Sequence, residues 1–217
     1  MAAHLDLEEQ EQLATLKHFW SRWGNLITWS VTGLMLAYAA WTGWQYWERR
    51  QAAQAGAMKE AVTQALASSN WTLAEQATTD LTQQFPKTHA ASAAQLLLAK
   101  AALDQKKTEL ARQSLNWVVQ QGTDDALVSL ARLRLAGLWL DEGKPDQAKP
   151  LLSVTPAPGF EALFDDRLGD WAQATQQNNL AVEHYSKAWK ALSDTSAMRQ
   201  VIAIKLAALG VDVSTLK

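Results

Sequence analysis

The sequence predicts an all-α protein in which a long uncharged helix precedes a domain built from repeated helix pairs. Residues 23–47 contain no Asp, Glu, Lys or Arg, whereas charged residues recur every few positions in the rest of the chain. Beyond Arg50, apolar residues recur at helical spacing, and runs of alternating β-branched residues are absent. Four segments of that region repeat one pattern around an alanine, which indicates stacked helix pairs.

The composition argues against several classes of function. The 217 residues carry a net charge of −2, which the first 22 residues supply, so the remainder is neutral and lacks the clustered Lys and Arg of nucleic-acid-binding proteins. The chain has no cysteine, which excludes disulfides, thiol catalysis and thiolate metal sites. Its 4 histidines form no pair at helical spacing, so metal binding has no support from them. No cofactor is expected.

The first segment, residues 1–22, is predicted to be a short amphipathic tail. Leu13, Leu16, Trp20 and Trp23 step by three, four and three residues, which places them on one stripe of a helix. The opposite face carries Glu, Gln and Lys. Such a helix either lies on a membrane surface or against a partner, or is simply the solvated entry to the next segment.

Residues 23–47 are predicted to form a transmembrane helix. An α-helix of 25 residues rises about 37 Å, and a bilayer core of about 30 Å needs about 20 apolar residues. A cleaved signal peptide and a buried core helix are the alternatives. The acidic leader, the long core and the bulky aromatic residues that follow it argue against a signal peptide.

Aromatic and small residues mark two surfaces of this helix. Indole and phenol rings prefer the lipid headgroup boundary, which predicts membrane-interface residues at both ends. These are Trp20, Trp23, Trp41, Trp44, Tyr46 and Trp47. Small residues at a spacing of four permit close approach of another helix, which predicts helix packing at Gly33, Ala37, Ala39 and Gly43. Lys and Arg are balanced across the segment, so the positive-inside rule leaves its orientation open.

Residues 48–217 are predicted to form a helical-repeat domain. Breaks fall near residues 68–70, 86, 106–108, 122–123, 143–145, 156–159 and 177–179 and leave helices of 8–20 residues, about nine in all. The repeated alanines are Ala74, Ala111, Ala148 and Ala181, spaced by 37, 37 and 33 residues. This helix–turn–helix pattern resembles a degenerate tetratricopeptide repeat. Pro150, Pro156 and Pro158 shorten the second helix of the third unit.

Stacked helix pairs expose a curved inner surface that binds peptides. Counting from the repeated alanines predicts partner-binding positions at Leu96, Leu103, Leu133, Gly137 and Leu140. This surface is apolar, which suits hydrophobic segments of a partner or client. The alternative is that a neighbouring helix covers these leucines.

Catalytic motifs are absent from the sequence. It contains no glycine-rich nucleotide loop, no nucleophile elbow and no zinc-protease motif. The paired carboxylates Asp124–Asp125 and Asp165–Asp166 are explained by helix capping and the helix dipole. The protein is therefore expected not to be an enzyme.

The chain resembles the YfgM family of ancillary SecYEG translocon subunits. The resemblance rests on "LKHFW" before the uncharged segment, Gly24 at its start, "GWQYW" at its end and degenerate repeats that end near Gly210. It implies a single-pass inner-membrane protein with a cytoplasmic tail (residues 1–22) and a periplasmic repeat domain (residues 48–217). The implied partners are the translocon, a PpiD-like periplasmic chaperone, secreted polypeptides and the lipid bilayer.

The function expected from this resemblance is a scaffold that helps to hand over or fold secreted chains. A membrane-anchored adaptor that regulates an envelope stress-signalling protein or a cell-wall assembly protein is the alternative. A soluble cytoplasmic scaffold is a third.

Overall fold

The computed structural model describes residues 7–216, which contain nine α-helices and a 3₁₀ turn at Val213–Thr215. The helices are α1 Leu7–Ala67, α2 Trp71–Gln84, α3 His89–Asp104, α4 Thr108–Gln121, α5 Asp125–Asp141, α6 Pro145–Leu152, α7 Glu161–Ala174, α8 Asn178–Ala191 and α9 Ala197–Ala208. The all-α prediction is confirmed, and every predicted break coincides with a connection between helices.

Four connections are tight turns of one kind, and they fix the register of the repeats. Each places one residue in the left-handed region, with φ between 57° and 70°, at Ser69, Lys106, Gly143 and Gln176. The following backbone N–H reaches back to a carbonyl five residues earlier, as in Lys107 to Ala102 at 2.8 Å and Gln177 to Ala172 at 2.8 Å. This bond closes a Schellman motif, which satisfies a helix-terminal carbonyl and reverses the chain at once.

The repeated alanines lie where paired helices cross most closely. Ala74, Ala111, Ala148 and Ala181 are all fully buried, and so are Ala136 and Ala172 on the helices that face them. In the last pair, an added Cβ on Gly169 of α7 would meet the ring of Tyr185 on α8 at 2.4 Å. The small residues therefore set the distance between helices, as the tetratricopeptide-like pattern predicts.

A leucine at Ala111 is expected to destabilise the domain by about 1–3 kcal/mol, because overpacking a close crossing forces the helices apart. Urea unfolding followed by circular dichroism measures the change. The matched control is Ala53→Leu, at an exposed position of α1. Equal unfolding midpoints for the two variants would contradict the close packing inferred for Ala111.

Three groups of buried side chains form the core. One joins the end of α1 to α2 and α3 through Ala55, Val62 and Leu81. A second lies among α3, α4 and α5 around Leu115 and Leu135. The largest extends from α5 to α9. The core is therefore a row of contacts between successive helix pairs, as in other repeat proteins.

The third pair is irregular. Its second helix, α6, has 8 residues, whereas α4 and α8 have 14 each. Pro150 lies inside α6, and the chain then follows a loop in which the Ala157 N–H donates to the Ser129 hydroxyl at 2.9 Å. The predicted shortening of this helix is confirmed.

The chain divides into two compact units, residues 1–50 and residues 51–217, and α1 belongs to both. Within residues 7–216, none of the helices combines the length and the apolar character needed to cross a membrane. The transmembrane helix predicted for residues 23–47 is therefore not supported. The physical reason is that Trp, Tyr, Ser, Thr, Gly, Asn and Gln lower the mean hydropathy of this segment, even though it carries no charge.

Candidate partner-binding surface

The predicted partner-binding leucines lie on α3 and α5, the first helices of two successive pairs. Leu96 and Leu133 are only 6% and 8% exposed and pack into core groups. Leu103 and Leu140, one helical repeat of seven residues further on, are half-buried. The structure thus buries the first leucine of each helix, in a different core group for each, and leaves Leu103 and Leu140 partly accessible.

The fifth predicted position, Gly137, lies beneath a side chain of the next pair. The guanidinium group of Arg167 on α7 comes within 3.5 Å of the place where a Cβ of Gly137 would stand. Arg167 also donates to Asp170 at 3.1 Å. The missing side chain at Gly137 therefore allows an arginine to lie across α5, so this part of the surface is polar.

A network of polar side chains links α7, α8 and α9. The ammonium group of Lys205 donates to Asp166 at 2.7 Å and to Asp170 at 2.6 Å. The hydroxyl of Tyr185 donates to Asp170 at 2.7 Å. Asp166 is 2% exposed, and its burial raises the pKa of the carboxyl group, while the bond from Lys205 opposes that rise. Burial and the bond to Asp170 raise the pKa of Tyr185 as well.

The two carboxylate pairs, for which the sequence predicted the same capping role, have different roles in the structure. Asp124 caps α5, as predicted, and accepts from the N–H groups of Ala126 and Leu127 at 3.0 Å each. The Leu127 N–H and then the bond from His89 lower the pKa of Asp124. The capping explanation is wrong for Asp165–Asp166, because α7 begins four residues earlier at Glu161. Asp166 and Asp170 are four residues apart and so lie on one face of α7. This spacing is the feature of the sequence that could have indicated a cationic partner shared by the two carboxylates.

The aromatic residues of the first unit are exposed. The predicted interface residues, Trp20, Trp23, Trp41, Trp44, Tyr46 and Trp47, are between 47% and 63% exposed. Added Cβ atoms at Gly33 and Gly43 would meet nothing within 4 Å, so the small-residue face is open. The roles of these residues in membrane contact and helix packing stay predictions.

Histidines and carboxylates in the described part of the chain do not gather into a group of three that could hold a metal ion. His89 and His184 each pair with one aspartate, Asp124 and Asp165, at 2.9 Å. His4 and Asp6 lie outside the described residues.

Comparison with known proteins agrees with the repeated helix pairs of the fold. The family model of the tetratricopeptide repeat-like domain matches residues 17–211. A protein of Neisseria gonorrhoeae named "Ancillary SecYEG translocon subunit" is 28% identical over 213 residues, which is 96% of this chain and 100% of that protein. No solved structure matches the chain significantly. The match to most of the chain, together with the repeated turns and buried alanines, shows that this protein belongs to the tetratricopeptide repeat-like domain family.

Proposed function

We propose that this protein is a non-enzymatic adaptor that associates with the SecYEG translocon at the inner membrane. The observation that carries the proposal is the end-to-end similarity to a protein named as an ancillary subunit of that translocon. The stacked helix pairs support it, because such arrays present extended surfaces to other proteins.

The finer part of the proposal assigns the adaptor a role in handing secreted chains to a PpiD-like chaperone. Leu103 and Leu140 supply the accessible apolar contacts. Leu96 and Leu133 support them from the core, and Gly137 makes room for the polar Arg167 between the apolar positions. A partner segment on this surface would bury aliphatic side chains at about 25 cal/mol for each Å² removed from water.

The first unit supplies a second surface in this proposal. Its exposed tryptophans suit the lipid headgroup region, and Gly33, Ala37, Ala39 and Gly43 suit a helix of the translocon. The repeat domain is assigned to the periplasmic side. Protease added to spheroplasts tests that assignment, because a periplasmic domain is digested and a cytoplasmic one is protected.

Purification of the full-length protein in mild detergent tests the main proposal. We expect Sec subunits to co-elute with it, and a photo-crosslinker at Leu103 or Leu140 to capture the chaperone or secreted chains. A crosslinker at Gln120, an exposed residue of α4, is the control. Recovery of an envelope stress-signalling protein or a cell-wall enzyme in place of Sec subunits would favour the alternative adaptor.

A further inference from the structure

The outer face of α9 is apolar and exposed. It consists of Ala197, Val201, Ile204 and Ala208, all of which are exposed. Val201 is 45% exposed and Ile204 is 70% exposed, whereas Ile202 and Leu206 on the opposite face are fully buried in the largest core group. A helix at the end of a repeat array usually presents a polar surface to water. This apolar surface therefore indicates a contact with another helix.

The two charged residues of α9 are engaged on its other side. Arg199 pairs with Asp194, and its side chain is 19% exposed. Lys205 is held by Asp166 and Asp170 at 2.7 and 2.6 Å, and its side chain is 24% exposed. The outer face itself carries no charged residue. Two such faces can therefore approach each other without repulsion between like charges.

The four residues of the outer face have the spacing of a coiled-coil seam. They are separated by four, three and four positions, the alternation that keeps apolar side chains against a partner helix. Their order is also symmetrical, with an alanine at each end and a β-branched residue at each inner position. In an antiparallel pair with a twofold axis between residues 202 and 203, Ala197 faces Ala208 of the second copy and Val201 faces Ile204. This reciprocal matching is the property of an isologous contact.

A second copy suits this face better than an unrelated helix does. The symmetrical order of side-chain sizes lets the surface match itself, which contact with a different protein would not require. The alanine at each end allows the two backbones to approach closely, as the buried alanines do where paired helices cross within the domain. An antiparallel arrangement also sets the positive end of each helix dipole beside the negative end of the other.

We propose that two copies of this protein pair through the outer faces of antiparallel α9 helices. The seam is short, because the 12 residues of α9 rise about 18 Å, whereas stable interfaces typically bury at least about 1,200 Å². The dimer is therefore reversible and depends on protein concentration. The proposal goes beyond association with the translocon and stands without it, since it concerns copies of this protein alone.

Disulfide crosslinking tests both the contact and its direction. The chain has no cysteine, so each introduced thiol is unique. Full-length Ala197→Cys and Ala208→Cys are purified separately in mild detergent, one with a tag that changes its mass, and are then mixed and oxidised. A disulfide needs Cα atoms within about 7 Å. We expect at least tenfold more crosslinked dimer from the mixture than from either variant alone, because the two copies of Ala197 lie about 16 Å apart along an antiparallel pair.

A charge placed in the seam should separate the copies. Ile204→Glu, added to both cysteine variants, is expected to reduce the crosslinked fraction at least tenfold, since each carboxylate would lie in an apolar contact without a partner. Ile204 is 70% exposed, so the fold is retained, and circular dichroism checks this. Leu73→Glu is the matched control, because Leu73 is an apolar residue of α2 that is 50% exposed. It should change the crosslinked fraction less than twofold.

Three results would overturn the proposal: no crosslinked dimer from the mixture, equal crosslinking of Ala197→Cys alone, or equal effects of Ile204→Glu and Leu73→Glu. Co-elution of Sec subunits with Ile204→Glu is measured separately. Loss of Sec subunits, together with no crosslinked dimer from the cysteine mixture, would assign the outer face to the translocon and also overturn the proposal. Persistent co-elution beside a lost dimer supports it, because the contact between copies is then distinct from the translocon association.

Discussion

Replacement of Lys205 by alanine is expected to reduce the free energy of unfolding at pH 7 by about 3 kcal/mol. Asp166 is 2% exposed, and Lys205 is the cation that donates to it. Without that ammonium group, the buried carboxylate of Asp166 loses its cationic partner. Asp170 also loses the hydrogen bond that it accepts from Lys205. Urea unfolding monitored by circular dichroism measures the change.

The destabilisation caused by Lys205→Ala should become smaller as the pH falls. The pKa of Asp166 is already raised by burial in the unmodified protein, and loss of Lys205 raises it further. A carboxyl group whose pKa is higher in the folded than in the unfolded state binds more protons when folded, so acid favours the folded state. The difference in unfolding free energy between the two proteins is therefore largest above the pKa that Asp166 has in folded Lys205→Ala. It declines as the pH falls through that pKa.

Two controls separate this effect from a general loss of charge. Lys187→Ala removes one lysine from an exposed pair with Glu183 and should leave the unfolding midpoint nearly unchanged. The double variant Asp166→Leu/Lys205→Met removes the buried carboxylate together with its partner and should recover most of the stability lost by Lys205→Ala. A cost that does not vary with pH, or one that the double variant does not relieve, would rule out the buried ion pair as its cause.

Gly169→Ala is expected to destabilise the protein by about 2 kcal/mol, although alanine is the better helix former by about 1 kcal/mol. The added methyl group would lie 2.4 Å from ring carbons of Tyr185, which is fully buried and held by its hydroxyl bond to Asp170. The ring cannot move aside without breaking that bond or separating α7 from α8. Thermal and urea unfolding both report the loss.

Gly56→Ala is the matched control, because Gly56 also lies inside a helix but has no atom within 4 Å of an added Cβ. It should stabilise the protein by up to about 1 kcal/mol. The substitution Tyr185→Phe should not rescue Gly169→Ala, since the crowded atoms belong to the ring. If both glycine variants stabilise the protein, the close crossing of α7 and α8 is wrong.

The sequence determined the helices and their register. Local chemistry controls both features, because turn residues end each helix and a small residue recurs at each helix crossing. The left-handed turn residues Ser69, Lys106, Gly143 and Gln176 repeat at the same intervals as the four alanines, although only one of them is glycine. The shortened third pair was also predictable, because proline acts locally.

The prediction that the structure does not support is the transmembrane helix, and the hydropathy of the uncharged segment is the reason. The absence of charge over residues 23–47 predicted a transmembrane helix, but polar and aromatic residues decide the apolar character of a helix as much as charge does. Length and missing charges were therefore an incomplete criterion.

Only the tertiary structure decided which surface positions are open and which ionic groups meet. Leu96 and Leu103 share one helix face in the sequence, yet the first is buried by a neighbouring helix and the second remains accessible. Lys205 lies 39 residues from Asp166 along the chain and contacts it through the packing of α9. Such contacts depend on where whole helices are placed, whereas helix periodicity records only which residues of one helix lie on the same side.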